Sequence, residues 1–367
     1  MKKILFVLNH LDKGGIEEML VTILKNIVPY YSIQVLTLYK VRSPYIEKVS
    51  SLVNLQTLDR YRYYIRNKYL LALYSRLFDL KIVQQFLYNK YLKKFHPDIQ
   101  IAFSDGRAVE IVAGNNSLIN KKAWVHTDFL QNDNQYFNYY IDLYKAFNDV
   151  VFVSKTLEMK FKKYLGLKST YFIPNAIDCN VIIEKSKKEN ICKENGIISF
   201  VAIGRLSREK GFDRLIYSLN KLTDKQKKIC HLTIIGDGKE KKYLCSLIQK
   251  FQLETMVSLI GFQTNPYGIL KNADALLVPS RFEGFGLVLL EAMALNIPIV
   301  ATATLGPSEI LDNGKYGFLV DNTDNAFDII ISEIIRNPSI LDKYKFVPER
   351  IQFYSIERLK NNILALL

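Results

Sequence analysis

Cysteine is scarce and scattered: four residues, Cys179, Cys192, Cys230 and Cys245, with no Cys-x-x-Cys pair among them. That excludes a disulfide framework and a clustered zinc site, and it fits a reducing cytosol. Asp-x-Asp occurs nowhere in the chain, so a cation-bridged diphosphate lacks its usual carboxylate pair. No stretch reaches the roughly 18 uninterrupted apolar residues that a spanning helix needs; the longest candidate, residues 286–306, is broken by Glu291, Asn296 and Pro298. Met1-Lys2-Lys3 followed by an apolar run imitates a signal peptide, but the run ends at Asn9, His10 and Asp12 and reads as a first buried strand. With 10 Pro, 17 Gly and no repeat or low-complexity tract, the chain is neither fibrous nor disordered.

What it does have is apolar material, 49% of 367 residues, enough for two domain cores. Short, fully apolar runs at residues 4–7, 33–38, 99–103, 123–126 and 150–153 alternate with helical patterns such as 16–28, and the pattern restarts at 197–203, 232–235, 257–260, 275–278 and 297–301. Continuous apolar strands separated by helices predict parallel sheets covered on both faces. The expected fold class is therefore α/β in two units, residues 1–172 and 173–354. A linker is expected around Ile173 to Asp178 and the lysine-rich stretch 184–195.

The charge is uneven. Residues 1–172 carry 25 basic and 14 acidic side chains, the remainder 25 and 22. Residues 60–95 stand out with nine basic residues, one acidic (Asp79) and seven tyrosines. Nucleic acid, an anionic bilayer and phosphorylated substrates would all be attracted. No nucleic-acid-binding motif accompanies the charge, whereas interleaved tyrosine and cation suit a bilayer interface; a solvated helical face is the plainer account of any single residue.

Three turns after strands carry candidate chemistry. Glu283-Gly284-Phe285-Gly286 follows the strand at 275–278 and opens an apolar helix starting near Leu287, where glycines admit a ligand and helix N–H groups favour an anion. Glu291 lies one to two turns into that helix. Carboxylates beside phosphate would be repelled, so sugar hydroxyls are their fitting partners. Gly204-Arg205-Leu206 with Lys210-Gly211 follows the first strand of the second half, and both cations can reach a pyrophosphate. Asp12-Lys13-Gly14-Gly15-Ile16-Glu17 follows the first strand of the chain. Each turn by itself also reads as an ordinary strand-to-helix connection.

Together these motifs resemble the donor site of the retaining glycosyltransferases of family 4, which have the GT-B fold; Gly14-Gly15-Ile16-Glu17 and Ile173-Pro174-Asn175-Ala176-Ile177-Asp178 fit the same pattern. The resemblance implies two Rossmann-like domains facing across a cleft, with a last helix at about 355–366 crossing back onto the first. It implies that Arg205 and Lys210 hold the diphosphate of a nucleotide sugar and Glu283 the sugar hydroxyls. Gly284, Phe285, Gly286 and Leu287 line the donor, Glu291 binds the ribose, and Gly15 closes on the phosphates. His126, in Trp124-Val125-His126-Thr127-Asp128, matches the cleft histidine beside the reacting sugar. A UDP-sugar rather than a GDP-sugar donor of hexose type, no metal and no cofactor, and retention by front-face attack are expected. The expected acceptor is a glycan or polyprenyl-diphosphate-linked glycan at the cytoplasmic face of a membrane, with the enzyme peripheral on an anionic surface and no nucleic acid partner. A nucleotide-sugar-binding protein without activity and a nucleotide-sugar epimerase are the alternatives.

Overall fold

The computed structural model describes the chain except residues 13, 63, 116–118, 128–133, 167–168, 189–195 and 345–347. The chain divides into two compact units, Met1–Asn175 with Leu359–Leu367, and Ala176–Arg358.

In the first unit, β1 (Lys3–Leu8), β2 (Ser32–Thr37), β3 (Asn54–Thr57), β4 (Ile99–Ala102), β5 (Asn120–Val125), β6 (Asp149–Phe152) and β7 (Thr170–Phe172) form one sheet in the order β3-β2-β1-β4-β5-β6-β7, every pair parallel. Ile4 to Leu8 are fully buried, as a strand covered on both faces requires. The helix Gly15–Ile27 buries Met19, Leu20, Ile23, Leu24 and Ile27, and Glu17 and Glu18 occupy its first turn. That spacing gives one apolar face and sets negative charge at the positive end of the helix dipole.

In the second unit, β8 (Ile198–Ile203), β9 (Cys230–Ile235), β10 (Val257–Leu259), β11 (Ala275–Val278), β12 (Ile299–Thr302) and β13 (Phe318–Val320) form a parallel sheet in the order β10-β9-β8-β11-β12-β13. Both sheets thus run outward from a central strand and then reverse to the other side, so each is Rossmann-like, with its switch point between β1 and β4 or between β8 and β11. In open sheets of this kind ligands bind beside that point, at the carboxyl ends of the strands.

The segment expected as a linker is partly helical: Cys179–Ser186 is a helix whose first turn is capped by Asp178, its Oδ1 accepting from Val181 N at 3.1 Å. Residues 189–195 of that stretch lie outside the described residues. The helix expected at about 355–366 runs Ile356–Leu366. Its residues from Leu359 on belong to the first unit, with Leu359 and Ile363 buried, Lys360 Nζ over the Tyr30 ring and Lys2 Nζ donating to Leu367 O at 2.7 Å.

The basic, tyrosine-rich stretch 60–95 forms two helices, Lys68–Phe78 and Lys81–Phe95. Its tyrosines divide by role. Tyr88 is buried and donates to Gln100 Oε1 of β4 at 2.6 Å, Tyr91 donates to Gln34 of β2, and Tyr74 donates to the buried Asp59 at 2.8 Å. Tyr61, Tyr64 and Tyr69 are exposed, together with Leu70, Leu73, Leu77, Leu80, Ile82 and Phe86. Leu70, Leu73 and Leu77 recur at helical spacing, so the outer face of the first helix is apolar. Arg66, Lys68, Arg76 and Lys81 are exposed beside it.

Candidate active site

The second unit brings two of the sequence-identified turns into contact at the β8/β11 switch point. After β8 the chain passes Arg205, which is exposed, to a single 3-10 turn, Arg208–Lys210, that ends at Gly211. Gly211 has φ +67°, and a Cβ there would lie 2.2 Å from Pro279 O. Only glycine satisfies both the left-handed conformation and the close approach. The turn after β11 closes on this one from the other side: Arg281 N donates to Glu209 O at 2.7 Å and Phe282 N to the same oxygen at 3.2 Å. Arg281 then reaches Asp213 through both terminal nitrogens, at 2.8 and 2.9 Å.

Within that frame Lys210 Nζ donates to Glu283 Oε2 at 2.6 Å, and Ser280 Oγ donates to the same oxygen at 3.1 Å. The side chains are 26% and 10% exposed, so the pair is shielded enough to be a strong, charge-assisted contact. Gly306 N donates to Glu283 O at 3.0 Å, fixing the backbone as well. Gly286, at φ +94°, starts the helix Leu287–Ala294. Phe285 is buried with its ring edge-on to Tyr354, 5.8 Å between centroids. Glu291 Oε1 accepts from Tyr267 OH at 3.1 Å. Lys210 and Glu283 are therefore brought together, whereas Glu291 has a separate partner one to two turns into its helix.

In the first unit Gly15 is the first residue of the helix Gly15–Ile27, at the end of the connection from β1; Lys13 lies outside the described residues, as does Asp128. His126 follows β5 and is buried. Its ring lies edge-on to Phe103 at 4.9 Å and bonds the Phe103 backbone, while Nε2 has no partner among the described residues. Burial pushes its pKa down to about 4, against the opposing effect of that backbone bond. At neutral pH His126 is thus an uncharged ring. Among the described residues no three His, Cys, Asp or Glu side chains gather as a metal site would need.

The family model for glycosyl transferases group 1 matches residues 182–345. An uncharacterised glycosyltransferase from Methanocaldococcus jannaschii is 30% identical over 280 residues, covering 65% of this chain and 67% of that protein. The chain belongs to the group 1 glycosyl transferases. Two other relatives of this glycosyltransferase are bacterial enzymes named for transfer to a lipid-linked sugar and for O-antigen biosynthesis. The N-acetylgalactosamine-N,N'-diacetylbacillosaminyl-diphospho-undecaprenol 4-alpha-N-acetylgalactosaminyltransferase of Campylobacter jejuni is 33% identical over 44% of this chain and 43% of its own. The O-antigen biosynthesis glycosyltransferase WclY of Escherichia coli is 30% identical over 50% and 51%; the chain spans about half the length of these two. HepE from Anabaena, solved with UDP and with UDP-glucose, superposes with TM-scores of 0.79 and 0.78 at 20% identity, over 100% of this chain and 99% of that one. That likeness carries the fold, two Rossmann-like domains of GT-B type.

Sequence reasoning passed over several residues that the glycosyltransferase fold places at the same strand ends. Ser280 and the Arg281–Asp213 pair support the turns after β8 and β11, and Tyr267 partners Glu291. In the first unit, Asp105 follows β4 and accepts from Tyr144 OH (3.0 Å), Thr127 Oγ1 (2.9 Å) and His126 N (3.3 Å). Burial pushes its carboxyl up to about 6 despite those bonds. Ser104-Asp105-Gly106 directly after a predicted strand was the available signal.

Proposed function

We propose that this glycosyltransferase moves a hexose-type sugar from a UDP-sugar to a hydroxyl of a polyprenyl-diphosphate-linked or other glycan acceptor, with retention of configuration and without a metal. The observation that carries the reading is the Lys210–Glu283 pair at the β8/β11 switch point, 2.6 Å apart, in the motif whose resemblance assigns a cation to the diphosphate and a carboxylate to the sugar. Named relatives that use lipid-linked or O-antigen substrates, and a fold neighbour solved with UDP-glucose, support the substrate class.

On this reading Arg205 and Lys210 stabilise the charge that develops on the diphosphate as it leaves, which is the largest catalytic contribution. Glu283 holds sugar hydroxyls, with Gly284, Phe285, Gly286 and Leu287 lining the donor and Glu291 on the ribose. Gly15 is assigned to phosphate. Neutral His126 offers the Nε2 lone pair as an acceptor for a sugar hydroxyl. The acceptor hydroxyl attacks from the face the diphosphate leaves, and its proton passes to a leaving phosphate oxygen. The exposed apolar face of residues 70–77 with its flanking cations favours peripheral binding to an anionic cytoplasmic leaflet, where a lipid-linked acceptor resides. No helix among the described residues is long and apolar enough to cross a membrane.

The test is a calorimetric panel of nucleotide sugars followed by proton NMR of the first product formed on a polyprenyl-diphosphate-linked acceptor. The expected result is selective UDP-sugar binding and an anomeric configuration that matches the donor. A product of opposite configuration would remove the retaining mechanism, and a panel without a binder would remove the donor class.

A further inference from the structure

Asp105 has no part in the reading above, yet both its backbone and its carboxylate are engaged. Its own backbone is fixed from β1: Asn9 Nδ2 donates to Asp105 O at 2.7 Å, Asn9 N to Ser104 Oγ at 2.9 Å, and Ala108 N to Asn9 Oδ1 at 2.8 Å. From that base its two carboxylate oxygens collect donors from two other elements. One accepts the Tyr144 hydroxyl of the helix Asn134–Tyr144, and the other the Thr127 hydroxyl and the His126 N–H directly after β5. We propose that Asp105 is the positioning residue for the turn that carries His126, holding it by accepting hydrogen bonds from Tyr144 OH, Thr127 Oγ1 and His126 N.

The chemistry of the acceptors explains the requirement. An ionised carboxylate donates nothing and has lone pairs for all three donors; once protonated it turns one oxygen into a donor, so a hydroxyl partner, Tyr144 or Thr127, has to reverse from donating to accepting and the hold on the turn is rearranged. Burial opposes ionisation, and the three bonds do not fully compensate, which is why its pKa stands near 6. The titratable and charged groups described around it are Tyr140 and Tyr144 on one helix, Arg107 and Glu110 on another, and His126. Arg107 and Glu110 pair at 2.6 Å. Both tyrosines are shifted upward by burial, and His126 stays neutral down to about 4. Asp105 is therefore the member of this set that changes charge between pH 5 and 7.

A second consequence separates positioning from mere stability. On folding, Asp105 gains affinity for a proton, from a normal carboxylate value to about 6, so ionising it costs stability as pH rises through that window. His126 loses affinity, from about 6.5 to about 4, so its contribution is lost as pH falls through the same window. One group takes up a proton on folding where the other gives one up, and the stability effects oppose each other. Activity should fall below pH 6, whereas the two stability effects work against each other over that window.

The proposal rests on the role assigned to His126, and the test keeps the two apart. In the full chain, UDP release from UDP-glucose is followed from pH 5 to 8 for the native protein, Asp105→Asn and His126→Ala, together with melting curves and the His126 and Thr127 amide signals by NMR. Asp105→Asn should lower kcat roughly ten- to a hundredfold, as for a misplaced catalytic group, leave the donor KM within about twofold, and lose both the acid limb near pH 6 and the matching amide titration. Asp105→Asn with native kcat, or with an unchanged acid limb, overturns the proposal even when His126→Ala is inactive. Native turnover in His126→Ala overturns the role of His126 itself, and an amide titration that persists in that protein then shows the anchor to be structural.

Discussion

Replacing Glu283 with glutamine should make product-like binding stronger and turnover slower. The substitution keeps the shape of the side chain and removes its charge. In the native site the Glu283 carboxylate accepts from Lys210 at 2.6 Å and Ser280 at 3.1 Å, with the glutamate side chain only 10% exposed. A charge-assisted bond in such a place is worth about 1.5–3 kcal/mol, and Lys210, at 26% exposure, keeps enough solvent contact to set the value at the lower end. That attraction competes with the attraction of Lys210 for a diphosphate. Releasing it should tighten UDP binding by roughly three- to thirtyfold, since about 1.4 kcal/mol corresponds to tenfold. At the same time, loss of a hydrogen bond that strengthens in the transition state should lower kcat by roughly ten- to a thousandfold. Calorimetry of UDP against native and variant protein gives the first number; single-turnover release of UDP from the best donor gives the second. Weaker UDP binding together with slower turnover would refute the reasoning, because it would show Glu283 and Lys210 acting as a structural clip rather than as two ends of a donor site.

Arg205→Ala and Lys210→Ala should each cost about 2–4 kcal/mol of transition-state stabilisation, and native activity should persist in EDTA; strict dependence on added Mg²⁺ or Mn²⁺ would contradict both. Gly211→Ala forces a Cβ to within 2.2 Å of Pro279 O at φ +67° and should lower stability by more than about 1 kcal/mol, with donor affinity falling too, read by thermal melting and calorimetry. Anionic vesicles should sediment the protein in a salt-sensitive way, and changing Arg66, Lys68 and Arg76 to Glu, or Leu70, Leu73 and Leu77 to Ser, should abolish it; native sedimentation in both variants would remove the membrane surface. Arg62 is unsuitable for that experiment, because it pairs with the buried Asp59.

Arg62 also shows where a sequence stops being readable. Its charge is visible in the composition of residues 60–95, but its partner, buried beside Tyr74, is a matter of packing. The central strands were legible because parallel strands covered on both faces must be continuous apolar runs, as Ile4 to Leu8 and Ala275 to Val278 are. β3, β7 and β13 were not: Asn54–Thr57, Thr170–Phe172 and Phe318–Val320 are edge or near-edge strands whose residues are mostly half-buried, so nothing compels an apolar pattern. At the site, glycine spacing and strand ends marked Glu283 and Lys210, since local backbone geometry constrains the local sequence. The Asp105 bonds to Thr127 and Tyr144 span 22 and 39 residues, and no spacing rule connects such positions.

The helix Ile356–Leu366 gives the order of synthesis a cost. Residues 1–175 leave the ribosome long before the strip from Leu359 to Leu367 that completes their unit, and at about 5–20 residues per second the intervening segment takes roughly 10–40 s to make. Through that interval the seats of Leu359 and Ile363, both fully enclosed in the finished protein, stay open to water and to other nascent chains. The second unit, continuous in sequence, has no such wait. A message that stalls inside residues 176–358 would therefore release a fragment with an uncovered apolar groove, and slow translation of that segment should favour aggregation of the half that was made first.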